Sequence, residues 1–118
     1  PLSLSLRTGN QISVTPLEMP HGNETSFSYS ISFENAELLF STDLSDTSHL
    51  PAFDKYSVIM IETNYDEDEF VSSNGSGGAT AHLSVQQAMR YAIPHLDEYG
   101  KIIPLHFGPT MLNYNQMH

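Results

Sequence analysis

The stretch Phe27-Ser28-Tyr29-Ser30-Ile31-Ser32-Phe33 alternates apolar and polar side chains at every position. A period of two is typical of a β-strand that buries one face. Leu2 to Leu6 alternate with serines in the same way, and Ile12 and Val14 follow after a turn at 7–10. The first third of the chain is therefore predicted to form β-hairpins, and we expect the fold to contain a sheet built from them.

The next strand ends at a carboxylate. Leu38-Leu39-Phe40-Ser41 follows the tight turn Glu34-Asn35-Ala36 and stops at Thr42-Asp43, before a polar loop. An Asp at the end of a buried strand holds two oxygens at a fixed place, which suits a metal ligand; a residue that caps the turn is the alternative. Tyr56–Glu62 is a near-continuous apolar run, typical of a strand covered on both faces, and it also ends in an acid.

The second half of the chain predicts a loop, a helix and a strand. Residues 66–81 are acidic and then rich in Gly and Ser, which predicts a flexible loop. Ser84-Val85-Gln86-Gln87 has the form of a capping box that opens a helix, and Pro94 ends it. Ile102–Leu105 is a further strand. We therefore expect an α+β fold: a mixed, mostly antiparallel sheet with one main helix on a face.

Composition narrows the possible functions. The 118 residues suffice for one domain, and no apolar run reaches the ~20 residues of a membrane span, so no membrane partner is expected. The absence of cysteine excludes disulfides and thiolate metal sites and fits a cytoplasmic setting. Fourteen acidic residues against four basic ones give a net charge of −10, which should repel nucleic acid unless bound cations invert the field locally.

Four polar residues lie where predicted elements begin or end: His21, Asp43, His82 and His106. Imidazole nitrogen and carboxylate oxygen bind zinc and similar ions, and one carboxylate can bridge two ions. The alternative is ordinary surface histidines, because the chain has no His-x-His or His-x-x-x-His spacing. The other three histidines are interpreted as surface residues: His49, His95 and His118.

The order of these motifs resembles the C-terminal half of a metallo-β-lactamase-fold hydrolase. The resemblance is closest to the nuclease and phosphodiesterase branch, which includes ribonuclease Z and single-domain exonuclease-like members, and it runs from about Thr8 to Gly108. The segment Val58–Asp66 is similar to a strand and loop of those members. The motifs are Pro20-His21, Ser41-Thr42-Asp43, Ala81-His82-Leu83-Ser84 and Pro104-Leu105-His106-Phe107-Gly108.

The resemblance implies a half of an αββα sandwich and a role for each residue. His21 would complete a first metal site, Asp43 would bridge two divalent ions, and His106 would be the last ligand of the second site. The ions would be zinc, with manganese possible. His82 would be catalytic, contacting the scissile phosphate or assisting proton transfer, and Glu62 would orient a ligand. The implied reaction is phosphodiester hydrolysis by a metal-bound hydroxide.

The chain departs from this family in one large respect. The family signature His-x-His-x-Asp-His, which supplies most metal ligands, is absent. We therefore expect 1–118 to be the C-terminal half of a hydrolase domain, inactive alone, that associates with its missing N-terminal half or with a second copy. Two alternatives remain open: a non-catalytic domain of this fold acting in binding or assembly, and a metal-independent acidic β-rich binding module.

The substrate is less defined than the reaction. Exonuclease-like relatives tend to carry basic residues before the histidine motif, whereas this chain has none between Lys55 and Arg90. Nucleic acid stays possible as a substrate but is not supported by the acidic charge, and a small phosphodiester, or another hydrolysable ester or lactam, remains open.

Overall fold

The computed structural model describes the backbone of residues 2–5 and, with side chains, residues 11–68 and 81–108. Within these ranges the chain forms six β-strands, an α-helix and a short 3-10 helix. Their bounds are β1 Leu2–Ser5, β2 Gln11–His21, β3 Glu24–Phe33, β4 Ala36–Ser41, β5 Tyr56–Glu62, α1 Val85–Ala92, the 3-10 helix Ile93–His95, and β6 Leu96–Leu105. The turn predicted at 7–10, most of the 66–81 loop, and the chain from Pro109 onward with His118 lie outside the described residues.

The strands form one sheet in chain order, β1 to β6. The first three pairings are antiparallel, and β4–β5 and β5–β6 are parallel. The prediction of a mixed, mostly antiparallel sheet is therefore confirmed. Both predicted hairpins are present, but β2 is longer than expected and continues through Met19 and Pro20 to His21. Proline has no backbone N–H to donate to a neighbouring strand. Pro16 and Pro20 are tolerated in β2 because the described part of β1 pairs with Gln11–Val14 and does not extend to either proline.

The hydrophobic core lies on the helix side of the sheet. Leu39 and Ile59 are paired in register and fully buried, and Ala88 and Ala92 from α1 pack over them. The helix begins as predicted, with a capping box between Ser84 and Gln87. It ends at Ala92, where Pro94 imposes the 3-10 turn. Tyr91 joins this core; burial raises the pKa of its hydroxyl, which donates to the carbonyl oxygen of Pro51 at 2.8 Å.

The opposite side of the sheet, the open face, is also apolar. Register places the side chains of alternating strand positions there, and these residues are partly or largely exposed. They are Ile12, Val14, Tyr29, Ile31, Phe33, Leu38, Phe40, Val58, Met60 and Ile103. The sheet thus presents apolar side chains in both directions, which matches the continuous apolar pattern of β5.

The described residues contain no helix that is long and apolar enough to cross a membrane.

The two faces of the sheet should differ in their contribution to stability. Ile59 has 0% exposure in the core, whereas Ile103 is 45% exposed on the open face. We expect Ile59→Ala to lower the free energy of unfolding by about 2–5 kcal/mol, because it removes buried methylenes and leaves a cavity. Ile103→Ala is the matched control and should cost well under half as much. Urea unfolding of both variants measures the difference, and equal losses would contradict this placement of the core.

Candidate metal centre

The site lies at one edge of the sheet, where four strands end in the same direction. β2 and β4 both run antiparallel to β3, and β4, β5 and β6 are parallel to one another. Their carboxyl ends therefore meet at one edge. His21 ends β2, Glu62 ends β5, and Asp43 and His106 follow β4 and β6 directly or within two residues. The predicted residues converge because strand direction, and not proximity in sequence, brings them together.

The segment before α1 delivers His82 to the same edge. The backbone amide of Asn64 donates to the carbonyl oxygen of Leu83 at 2.9 Å, and Val85 donates to the carbonyl oxygen of Tyr65 at 2.8 Å. Tyr65 and Ser84 form an isolated parallel bridge. This short ladder fixes His82 beside the end of β5.

The carboxylate of Glu62 is the hub of the site. It has 0% exposure, and its Oε1 lies 2.7 Å from Nδ1 of His106 and 3.1 Å from Nδ1 of His82. The backbone amide of Asp43 donates to the same oxygen at 3.1 Å. Oε2 accepts from the backbone amide of Leu83 at 2.6 Å. A buried carboxylate needs such donors, because an unpaired buried charge is very costly.

These contacts fix the tautomers of the histidines. A ring nitrogen that faces a carboxylate acts as the donor in that contact, which assigns the Nδ1–H tautomer to His82 and His106. Nδ1 of His21 lies 2.7 Å from the carbonyl oxygen of Ala81, which imposes the same tautomer. Among the described residues, no side chain or backbone group hydrogen-bonds to Nε2 of these three rings. Histidines that bind metals are commonly oriented in this way, with the second nitrogen held by an oxygen acceptor.

Two more oxygens surround His106. Nδ1 lies 2.9 Å from Oγ1 of Thr42 and 3.1 Å from Oδ1 of Asp43. Asp43 and His106 therefore meet directly, although 63 positions separate them in the sequence. Both have left-handed backbones, with φ of 57° and 55°. Non-glycine residues in this region are uncommon and concentrate at functional sites.

The imidazole rings form a row. The ring centroids of His21 and His82 are 5.1 Å apart with planes at 68°, and those of His82 and His106 are 5.1 Å apart at 88°. His82 is therefore the central ring, with the two predicted ligand histidines on either side.

The donor atoms fit a divalent cation. One ligand atom from each of Asp43, Glu62, His82 and His106 lies within 4.8 Å of the others. Nitrogen and oxygen donors of this kind suit zinc or manganese. Two carboxylates in one small cluster also give it negative charge that a cation would offset. His21 does not belong to this group, although its ring contacts that of His82. The individual roles of these residues stay predictions.

The remaining histidines lie elsewhere. His49 is exposed, as predicted, with Nδ1 3.2 Å from the carbonyl oxygen of Glu18. His95 is only partly exposed, because its ring stacks on Tyr91 with centroids 4.1 Å apart. Its two nitrogens lie 2.6 Å and 3.1 Å from carbonyl oxygens of Tyr91 and Ala52.

The acidic run at the start of the 66–81 loop is more structured than a solvated loop. Glu67 accepts a hydrogen bond from Ser84 Oγ at 3.1 Å and pairs with Arg90 at 3.2 Å. The Gln86 side chain bonds to the Glu67 amide at 3.1 Å and to Oδ1 of Asp66 at 3.1 Å. The start of the loop is therefore tied to the first turns of α1, close to the site.

Sequence reasoning missed Asn64. Its side-chain amide donates to the carbonyl oxygen of His106 at 3.2 Å, and its own carbonyl accepts from Gly108 at 2.9 Å. The only signal in the sequence is its place two residues after Glu62, and that spacing carries no chemistry of its own.

One solved structure supports the fold. The chain is similar to human tRNase Z, short form, a metallo-β-lactamase-fold enzyme, with a TM-score of 0.60 and 16% sequence identity. The match covers 92% of this chain and 40% of that structure. No family model and no curated protein matches the sequence. The fold is therefore α+β and corresponds to part of a metallo-β-lactamase-type domain.

Loss of the Glu62 charge should disturb the whole site. Glu62→Gln keeps the size of the side chain but replaces one acceptor oxygen by an NH2 group, which must then face Leu83, Asp43 or a histidine donor. We expect the free energy of unfolding to fall by about 1–3 kcal/mol, because a buried donor loses its partner. The matched control is Glu37→Gln, since Glu37 is exposed and bonds only to Ser32 in the contacts described. The control should change the free energy of unfolding by about 0.5 kcal/mol or less. Urea unfolding of both variants measures the difference, and equal effects would contradict the central role of Glu62 in the site.

Proposed function

We propose that this chain is part of a metal-dependent hydrolase that cleaves phosphodiesters. The observation that carries the proposal is the shared carboxylate: Glu62 contacts Nδ1 of both His82 and His106, and no hydrogen bond within the described residues occupies either Nε2. Ligand histidines and proton-transferring histidines are commonly held in this orientation, with one ring nitrogen on a carboxylate. Similarity to tRNase Z supports the same class of enzyme.

Each residue has a proposed task. His21, Asp43 and His106 hold divalent ions, which we propose to be two zinc ions with manganese as the alternative. A bound divalent ion supplies Lewis acidity, which activates water and polarises a phosphoryl oxygen. His82 donates or accepts a proton at Nε2 near the leaving group. Glu62 orients His82 and stabilises its ring when it is charged, as an acid partner of a catalytic histidine does.

The site needs donors from outside the described residues. Zinc sites take three or four protein ligands, and His21, Asp43 and His106 divided between two ions supply fewer. The chain spans 40% of the length of the tRNase Z structure, and its open face is apolar beside the same edge of the sheet. We propose that a second sheet, the N-terminal half of the same fold or a second copy, covers the open face and completes the ligand set.

A small phosphodiester is the proposed substrate. The chain carries a net charge of −10, and among the described basic residues Arg90 pairs with Glu67 and Lys55 donates to the carbonyl oxygen of Pro94. A polyanionic nucleic acid would be repelled at long range by this charge. A small diester has fewer phosphates to oppose it.

One observation favours a non-catalytic domain instead. The imidazole of His106 already contacts both Glu62 and Asp43 at 2.7 Å and 3.1 Å, so the cluster is satisfied by its own hydrogen bonds. In that case the fold serves binding or assembly. Elemental analysis of the purified full-length protein separates the two: a hydrolase should retain zinc or manganese, and a non-catalytic domain should not.

The predicted ligands should determine metal affinity. We expect His106→Ala and Asp43→Ala each to weaken zinc binding by about tenfold or more, because each removes a donor to the ion. His49→Ala is the matched control, since His49 is exposed and remote from the cluster. Isothermal titration of the metal-free full-length protein with zinc chloride measures the effect. Equal affinity in all variants would contradict the site.

His82 should act in turnover more than in binding. In the full-length protein, we expect His82→Ala to lower kcat for bis(p-nitrophenyl) phosphate by about 100-fold or more, because proton transfer to the leaving group is lost. His95→Ala is the control. The isolated 118-residue chain should be inactive. A parent gene without an upstream His-x-His-x-Asp-His motif, or an unchanged kcat in His82→Ala, would contradict this assignment.

A further inference from the structure

We propose that Asn64 is the positioning residue that holds His106 in its working orientation. The inference rests on the proposed function, because it concerns how one predicted ligand is aimed. His106 has a left-handed backbone, with φ of 55°. An L-residue adopts this conformation at an energetic cost, and it persists only where surrounding contacts impose it. The question is therefore which contacts impose it.

The contacts come from the two residues that follow Glu62. The backbone amide of Thr63 donates to the carbonyl oxygen of Leu105 at 2.9 Å, immediately before the strained residue. The side-chain amide of Asn64 donates to the carbonyl oxygen of His106 itself at 3.2 Å. The amide of Gly108 then donates to the carbonyl oxygen of Asn64 at 2.9 Å. The turn from β6 is thus held before, at and after His106, by residues on the same segment as Glu62.

Gly108 shows how close this packing is. A Cβ atom at position 108 would lie 2.7 Å from Oδ1 and 2.8 Å from the carbonyl oxygen of Asn64. Real Cβ atoms do not approach oxygens so closely, so glycine is required for the backbone to reach Asn64. The glycine at position 108 is explained by this contact.

Asn64 also connects the two histidines. Its backbone amide donates to the carbonyl oxygen of Leu83 at 2.9 Å, next to His82, while its side chain holds His106. Since Glu62 lies two residues earlier, one short segment fixes the carboxylate and both imidazoles that it orients. Removal of the Asn64 amide should release the backbone of His106 and leave the anchor at Leu83 intact.

The test compares Asn64→Ala with Asn35→Ala in the 118-residue chain. Asn35 lies in the exposed turn between β3 and β4 and is the matched control. The first readout is the 15N NMR tautomer signature of each histidine without metal. In Asn64→Ala we expect His106 to lose its single Nδ1-protonated state, whereas His21 keeps its own. The second readout is the zinc affinity of the full-length protein carrying the same substitutions, which should fall by about tenfold in Asn64→Ala.

Asn64→Leu is the second variant, because it keeps the approximate volume of the side chain and removes the donor without adding a charge. If the alanine variant is poorly folded, this second variant tests the role of Asn64, and it should show the same change at His106. An unchanged His106 signature in either folded variant would overturn the proposal. Absence of zinc and manganese from the purified full-length protein would instead overturn the proposed function, and the tautomer readout would still test the role of Asn64.

Discussion

The carboxylate of Glu62 is the interaction on which the rest of the site depends. A charge with 0% exposure is unfavourable by several kcal/mol unless hydrogen bonds replace water. Two imidazoles and two backbone amides do so here, and they come from three segments far apart in sequence. The need to satisfy one buried charge therefore draws the loop after β4, the turn after β6 and the entry to α1 to the same point.

The sheet makes this convergence possible. β4, β5 and β6 are parallel, so their carboxyl ends lie side by side, and β2 points the same way because β3 reverses the chain between them. An all-antiparallel sheet would alternate the ends and place Asp43 and Glu62 at opposite edges. The parallel pairing in turn requires a crossover between β5 and β6, and α1 lies within it. The change from antiparallel to parallel pairing at β4–β5 thus accounts for the position of the helix, of the core beneath it and of the site.

Much of the fold could be predicted from local pattern. Alternation gave the hairpins, and the serine and glutamine of the capping box gave the helix start, because both signals act over a few residues. The continuation of β2 through Met19 and Pro20 was not predicted, since their place in the strand depends on where β1 stops. The gathering of His21, Asp43, His82 and His106 followed from their positions at element ends and from the resemblance.

What could not be predicted depends on contacts across the sheet. In the sequence, Glu62 is the polar residue that ends an apolar strand. Only the three-dimensional structure shows that its carboxylate is buried and contacts two histidines. Asp43 and His106 meet although 63 positions separate them, and neither this contact nor their left-handed backbones can be recognised from the local sequence. The role of Asn64 could not be predicted for the same reason, because it depends on backbone groups of His106, Gly108 and Leu83 that contact Asn64 only in the folded chain.

The open face and the site are linked by geometry. Tyr29, Phe40, Met60 and Ile103 form one row across the open face by strand register. That row lies two to three residues before the strand ends that carry Asp43, Glu62 and His106. A second sheet that buried this row would therefore bring its own strand ends or loops toward the strand ends that carry these residues. Burial of apolar area would drive the association, and the ligand groups would be placed by it. The hydrophobic energy of assembly and the completion of the proposed metal centre would then be one event.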